Sequence, residues 1–217
     1  MLNELDITIK SGISEIDGIK ATTYDFSKVS ESEIFALDLS VEQAQKDAIL
    51  KAKNSHNSVG GVALINVKNA PIGLGEPLYF KLDSQIANAM MSINAVKAIE
   101  IGDGILASKV KGYDNNDQIR KDGFKTNHSG GILGGISNGD DINVKVYFKA
   151  TPSIFIEQET IDIHNDEVNC QLKGRHDPCV AVRGSVVAES MIALVLADMV
   201  LLNMSSKMEN VKKVYSK

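Results

Sequence analysis

Two cysteines, three arginines and no basic leader segment set the first limits on this 217-residue chain. Cys170 and Cys179 are too few for a disulfide framework at this length, and MLNELDITIK lacks the charged and apolar regions of a secretory signal. A reducing, cytoplasmic setting is the expectation. With 28 acidic against 23 basic residues the net charge is -5, so no global field draws the chain to nucleic acid or to an anionic membrane. Any anion site must be local. No repeat period and no low-complexity linker appear, and 43% hydrophobic with 24% charged residues is a globular composition. The length permits one large domain or two small ones.

One stretch, Ser185 to Asn203, is long and apolar enough to span a bilayer as a helix. Glu189 and Asp198, nine residues apart in the sequence, point to opposite helix faces and leave neither purely apolar. The stretch reads as a long helix buried in protein, partly by another subunit.

Hydrophobic spacing supplies the other elements. Asp6 to Lys10 is predicted as a short strand, Val62 to Val67 as another, and Ile105 to Val110 as a third. Ile142, Val144, Val146 and Phe148 alternate with polar residues as in a half-buried strand. Ser40 with Gln43 makes a capping-box pattern opening a helix to about Lys53, with Val41, Ala44, Ala48 and Ala52 on one stripe. Asp83 caps a second helix carrying Ile86, Met90 and Ile93. Tyr113 to Asn127 reads as polar loop. Irregular interleaving of helices and strands favours an α+β layered architecture over an alternating parallel fold.

Four groups could carry chemistry. His164, Cys170, His176 and Cys179 supply the ligand types for tetrahedral zinc, but at poor spacing; the plainer reading makes Cys170 a small core residue and His164 a loop residue. Gly130 to Gly139, with no phosphate-loop lysine, is either a turn-rich loop or a backbone cradle for a ligand. Gly174-Arg175-His176-Asp177-Pro178-Cys179, with Arg183 beyond, places a fixed cation, an imidazole and an acid on a loop before the long helix. Lys149, ending the alternating strand before Ala150-Thr151-Pro152-Ser153, could hold a phosphate.

The strings Met91 to Lys97, Glu100 to Gly104, Gly130 to Gly139 and, above all, GRHDPCVAVRGSVVAESMIALVLAD from Gly174 to Asp198 resemble chorismate synthase, in register to about Leu202. The resemblance implies a layered α+β fold with a long buried C-terminal helix and a homotetramer. It implies a lyase of the shikimate pathway that eliminates phosphate from 5-enolpyruvylshikimate 3-phosphate to give chorismate. Reduced FMN is the implied cofactor, and NADPH is a candidate flavin reductant. Matched position by position, Asn94, Ala95, Gly134, Lys149, Ala150, Thr151, Pro152, Ser153 and Arg175 fall on the family's FMN-contacting segments, and Asp177 falls on the acid beside flavin and substrate. Ala150 stands where proline is common, Asn57 where aspartate is frequent, and Gly184-Ser185 where the helix entry is usually Ala-Val or Ala-Pro.

Met1 to Leu5 resembles the end of an internal helix. The expectation is an N-terminally truncated chain, missing the two family histidines and most of the substrate-gripping arginines. None of His56, His128, His164 and His176 matches those histidine positions. The isolated chain is therefore expected to be inactive. The rival readings are a non-catalytic fragment that assembles with intact subunits and, third, a zinc-binding module.

Overall fold

The computed structural model describes residues 1–216. In chain order the elements are β1 (Thr8–Ile16), β2 (Ile19–Lys20), α1 (Leu39–Asn54), β3 (Gly61–Lys68), α2 (Leu82–Met91), β4 (Val96–Ile101), α3 (Gly112–Asn115), β5 (Ile119–Arg120), β6 (Gly123–Phe124), β7 (Ile132–Leu133), β8 (Ile136–Ser137), β9 (Ile142–Phe148), β10 (Gln158–Ile161), β11 (Glu167–Cys170), α4 (Ala181–Met204) and α5 (Met208–Tyr215). Five strands form an antiparallel sheet in the order β2-β1-β3-β9-β4, and the other six pair as two-stranded ribbons. The architecture is α+β.

The alternation in β9 decides how the layers meet. Ile142, Val144 and Val146 are fully buried and lie opposite Val67, Ile65 and Ala63 of β3. That face joins the main core with Ile86 and Met90 of α2 and with Ala188, Ile192, Leu196 and Met199 of α4. A wholly buried Ile192 or Leu196 contributes about 1.5–3 kcal/mol each. Gly184 lets α4 approach this closely, since a Cβ there would overlap the Phe148 ring. On the other face Lys145 pairs with Glu100 at 3.6 Å. Burial, then the hydrogen bond with Glu100, pushes the neighbouring Tyr147 phenol upward.

α4 is long and apolar enough to cross a membrane by length and composition alone. Its buried stripe rests on the sheet, while Val186, Val187, Leu194 and Leu201 on the outer side are exposed. Glu189 accepts the backbone N–H of Ser11 at 2.7 Å and so ties α4 to β1.

Several expected elements differ. Ile105 to Val110 is a 3-10 turn (Gly104–Lys109) with Ile105, Leu106 and Val110 exposed; without a neighbouring strand, its apolar residues have no sheet to join. Asp38, not Ser40, caps α1, accepting from the Ser40 N–H and hydroxyl. The α1 stripe is rotated as well: Gln45 and Ala52 are buried and Ala44 is exposed. Gln45 earns that place by donating to the Ile19 carbonyl at 3.0 Å. Lys81 precedes α2, and Asp83 lies within its first turn. Part of the loop from Tyr113 forms the β5–β6 ribbon. β1 continues to Ile16 past the buried Ser11 and Ser14.

Candidate functional site

Three segments distant in sequence meet beyond the end of β9. Ser58 donates its hydroxyl to the Thr151 carbonyl at 2.6 Å, and the Val59 N–H donates to the Pro178 carbonyl at 2.8 Å. Gly60 permits the contact, because a Cβ there would stand 2.7 Å from the Phe148 carbonyl oxygen. Ser58 to Gly60 thereby clamps the turn after β9 to the loop before α4. On the far side of β9, the Lys149 N–H donates to the Ala95 carbonyl at 2.9 Å, which sets Asn94 and Ala95 beside Lys149. Ala95 has a left-handed backbone, φ 72°, uncommon for a residue with a Cβ.

The clamp encloses a cleft of about 230 Å³ lined by Lys53, His56, Ser153, Arg175, His176 and Asp177, among others. Asp177 accepts the Cys179 N–H at 3.0 Å on one carboxylate oxygen and the Arg183 Nε–H at 2.7 Å on the other. These two bonds fix its orientation. Lys53, Lys149 and Arg175 have no carboxylate within ion-pair distance among the described residues. In a chain of net charge -5, this is a local surplus of positive charge.

Two polar atoms here are buried without a protein partner, Thr151 Oγ1 and His176 Nε2. Leaving such a group unpaired costs about 1–3 kcal/mol. Orphaned donors and acceptors beside unpaired cations suit a polar, anionic ligand carrying hydroxyl or phosphate oxygens, and FMN is of that kind.

Of the residues expected from sequence, Ser153, Arg175 and Asp177 line the cleft, Thr151 is clamped at its edge, and Asn94, Ala95 and Lys149 lie together at the end of the sheet. Ala150 and Pro152 belong to the turn that joins these groups. Gly134 lies apart. It sits in the tight turn between β7 and β8, where the Gly135 carbonyl accepts the Leu82 N–H at the start of α2. Asn94 and Ala95 follow the other end of that helix, whose 10 residues span about 15 Å. The glycine-rich segment thus behaves as a turn-rich loop packed against the entry to α2.

Sequence reasoning missed Lys53, His56, Asn57, Ser58 and Phe155 as lining residues. The strand-start pattern Ser58 to Gly60 was the available signal. The zinc set does not gather: Cys170 is exposed rather than a core residue, Cys179 is buried, and no three potential ligands converge among the described residues. Burial pushes the Cys179 thiol up to about 11, which makes it an inert packing group.

The chain is similar to known proteins along its length. The family model described as chorismate synthase matches residues 1–201. The chorismate synthase of Aliarcobacter butzleri (strain RM4018) is 83% identical over 217 residues, all of this chain and 61% of that protein. That of Helicobacter hepaticus (strain ATCC 51449 / 3B1) is 58% identical over 215 residues, 99% of this chain and 60% of its relative. A solved crystal structure of a chorismate synthase superposes with a TM-score of 0.78 at 30% identity, covering 98% of this chain and 62% of that one. The chain therefore spans about three fifths of the length of these relatives.

Proposed function

The chain belongs to the chorismate synthase family, and from that premise we propose that its cleft and the adjoining Lys149 to Ser153 turn bind reduced FMN. There they serve the elimination of phosphate from 5-enolpyruvylshikimate 3-phosphate to give chorismate. The observation that carries this reading is the meeting of Arg175, Asp177 and Ser153 in one cleft beside the buried, unpartnered Thr151 Oγ1 and His176 Nε2.

In the reaction a ring C–H bond and an allylic C–O bond break, phosphate departs with the C–O electron pair, and a new C=C bond forms. There is no net redox change. Reduced FMN, when bound, supplies electron density that eases C–O cleavage. Arg175 and Lys149 offset the negative charge of the phosphate-bearing ligands. Asp177, aimed by Cys179 and Arg183, is the group that accepts or relays a proton in the cleft. Ser153 and Thr151 orient the cofactor through their hydroxyls. Asn94, Ala95 and Ala150 contribute backbone to the same wall.

Residues 1–217 act as one unit in the cytoplasm within a homotetramer, with NADPH as the electron source that keeps the flavin reduced. Within these residues Asp177 is the acid of the cleft, and no histidine matches a family acid–base position. Turnover accordingly draws on groups outside them. Phosphate release assayed anaerobically with dithionite-reduced FMN tests this. The 217-residue chain alone is expected to show none, and the same chain joined to the remainder of a family protein is expected to turn over. Turnover by the chain alone at a rate near that of an intact relative would overturn the requirement for outside groups.

One observation favours a second reading. The outer stripe of α4 exposes Val186, Val187, Leu194 and Leu201, as expected of a non-catalytic chain that assembles with intact subunits. Co-expression with a tagged full-length relative separates the two: mixed tetramers without added activity support the assembly role, and their absence counts against it.

A further inference from the structure

α1 ends in a Schellman motif. The Asn57 N–H donates to the Ala52 carbonyl at 2.8 Å, the His56 N–H donates to the Lys53 carbonyl at 3.1 Å, and His56 between them has a left-handed backbone, φ 60°. The Asn57 side chain then accepts the Ser58 N–H at 2.9 Å. The chain therefore leaves the helix in a set direction, and Ser58 arrives at the cleft with its backbone already held.

Three bonds cross from His56–Val59 to the other walls. The Phe155 N–H donates to the His56 carbonyl at 3.2 Å, the Ser58 hydroxyl to the Thr151 carbonyl at 2.6 Å, and the Val59 N–H to the Pro178 carbonyl at 2.8 Å. The first and last join main chain to main chain, which other residues could do as well. Of the three, only the bond from Ser58 depends on a side chain.

A serine hydroxyl has one proton to donate. Ser58 gives it to the Thr151 carbonyl and not to the Thr151 hydroxyl, whose oxygen stays buried without a protein partner. A purely structural peg explains the bond but not the orphan, since valine has the shape of threonine and leaves no buried hydroxyl unpaired. Held by its carbonyl from the Ser58 side, Thr151 keeps its hydroxyl available on a turn that cannot swing to find another partner.

We propose that Ser58 is a positioning residue for FMN that acts through Thr151: it fixes the turn after β9 so that the Thr151 hydroxyl is free to bond a polar atom of the cofactor. This rests on the cleft and its turn being the FMN site. Ser58 itself takes no part in the elimination, and Arg175 and Asp177 keep their places without it.

The test is the FMN dissociation constant of the chain joined to the remainder of a family protein, read by flavin fluorescence. Ser58→Ala is expected to raise it about tenfold, and Thr151→Val by about the same factor. The double variant is expected to rise about tenfold and not about a hundredfold, because the two changes remove one interaction. Ser58→Thr keeps the hydroxyl and restores wild-type affinity, while Ser58→Cys, with its weaker donor, falls between. At saturating FMN, kcat in Ser58→Ala stays within about twofold of the wild type, whereas a general collapse of the cleft lowers it at every FMN concentration. Circular dichroism melts of every variant confirm folding, and Ser58→Cys carries the comparison if Ser58→Ala does not fold.

Wild-type affinity in either single variant, an additive double variant, or a Ser58→Thr as weak as Ser58→Ala overturns the proposal. FMN binding that is lost in Arg175→Gln but unchanged in Ser58→Ala leaves the flavin reading standing and removes this one alone. No FMN binding by the wild type removes the flavin reading, and the role of Ser58 with it.

Discussion

Asp117 and Asp177 are both loop aspartates, and the fold holds them in opposite ways. Asp117 accepts four hydrogen bonds, from the Thr126 hydroxyl, the His128 and Ser129 N–H groups and the Ser129 hydroxyl. Every donor lies within a single turn, so this carboxylate builds the loop that it sits in. Asp177 accepts two bonds and faces a cleft with unpaired cations and orphaned polar atoms. A saturated carboxylate is architecture; an unsaturated one beside unspent positive charge is what a ligand site requires.

The largest expected effect breaks the comparison on activity. Asp177→Asn in the assembled family enzyme should cut phosphate release by about 10²–10⁴-fold, the usual weight of a positioned acid–base group. Its urea midpoint should stay near that of the parent. A variant that unfolds yet keeps its specific activity per folded molecule would move Asp177 to the architectural class. The converse is Asp117→Asn. Replacing a charged acceptor shared by four donors should cost about 2 kcal/mol of stability, read from urea unfolding. Ligand binding at the cleft should remain once folding is corrected for.

pH sharpens the same contrast. Burial raises the Asp117 carboxyl, but the hydrogen bonds from Ser129, then those from His128 and Thr126, outweigh it and hold the group at about 2. A carboxyl lowered by folding contributes stability that is complete above its unfolded value, about 4, and is lost as pH falls through the folded one. Urea midpoints measured from about pH 5 down to about pH 2 should decline more steeply in the wild type than in Asp117→Asn. Equal slopes would mean that the four bonds contribute nothing distinctive.

Local pattern explains which parts were legible in the sequence. The β9 alternation located the strand and its buried face, because period two on a half-buried sheet is a strong constraint; only Lys149, expected to end the strand, falls one residue past the observed Ile142–Phe148. α1 was recognised, but its face was misjudged: a buried glutamine bonded to Ile19 looks polar and solvent-facing in a sequence. β4 passed unread as a strand, since Val96 to Ile101 needs β9 beside it to declare its register. The charged residues of the site stood out by type, whereas its assembly did not. Ser58 to Thr151 and Val59 to Pro178 are bonds between residues far apart in the chain, and no local spacing encodes them. His56 and Lys53 entered the cleft only through that clamp.

Arg183 gives the smallest effect on stability and the finest test of the contrast. Its side chain is 72% exposed, and its Nε–H bonds Asp177 at 2.7 Å from the first turn of α4. A positive charge at a helix N-terminus opposes the macrodipole, and an exposed ion pair returns at most about 1 kcal/mol. Stability alone therefore gives arginine little advantage at this position, and its distinctive contribution is the aim of the Asp177 carboxylate. Arg183→Gln should shift the urea midpoint by the equivalent of less than about 1 kcal/mol. In the assembled enzyme it should lower kcat several-fold with little change in KM, and Arg183→Lys, which keeps the charge but not the Nε geometry, should restore only part of it. A loss confined to stability, with kcat unchanged, would return Asp177 and Arg183 to the rank of a surface ion pair and leave Arg175 and His176 to carry the cleft.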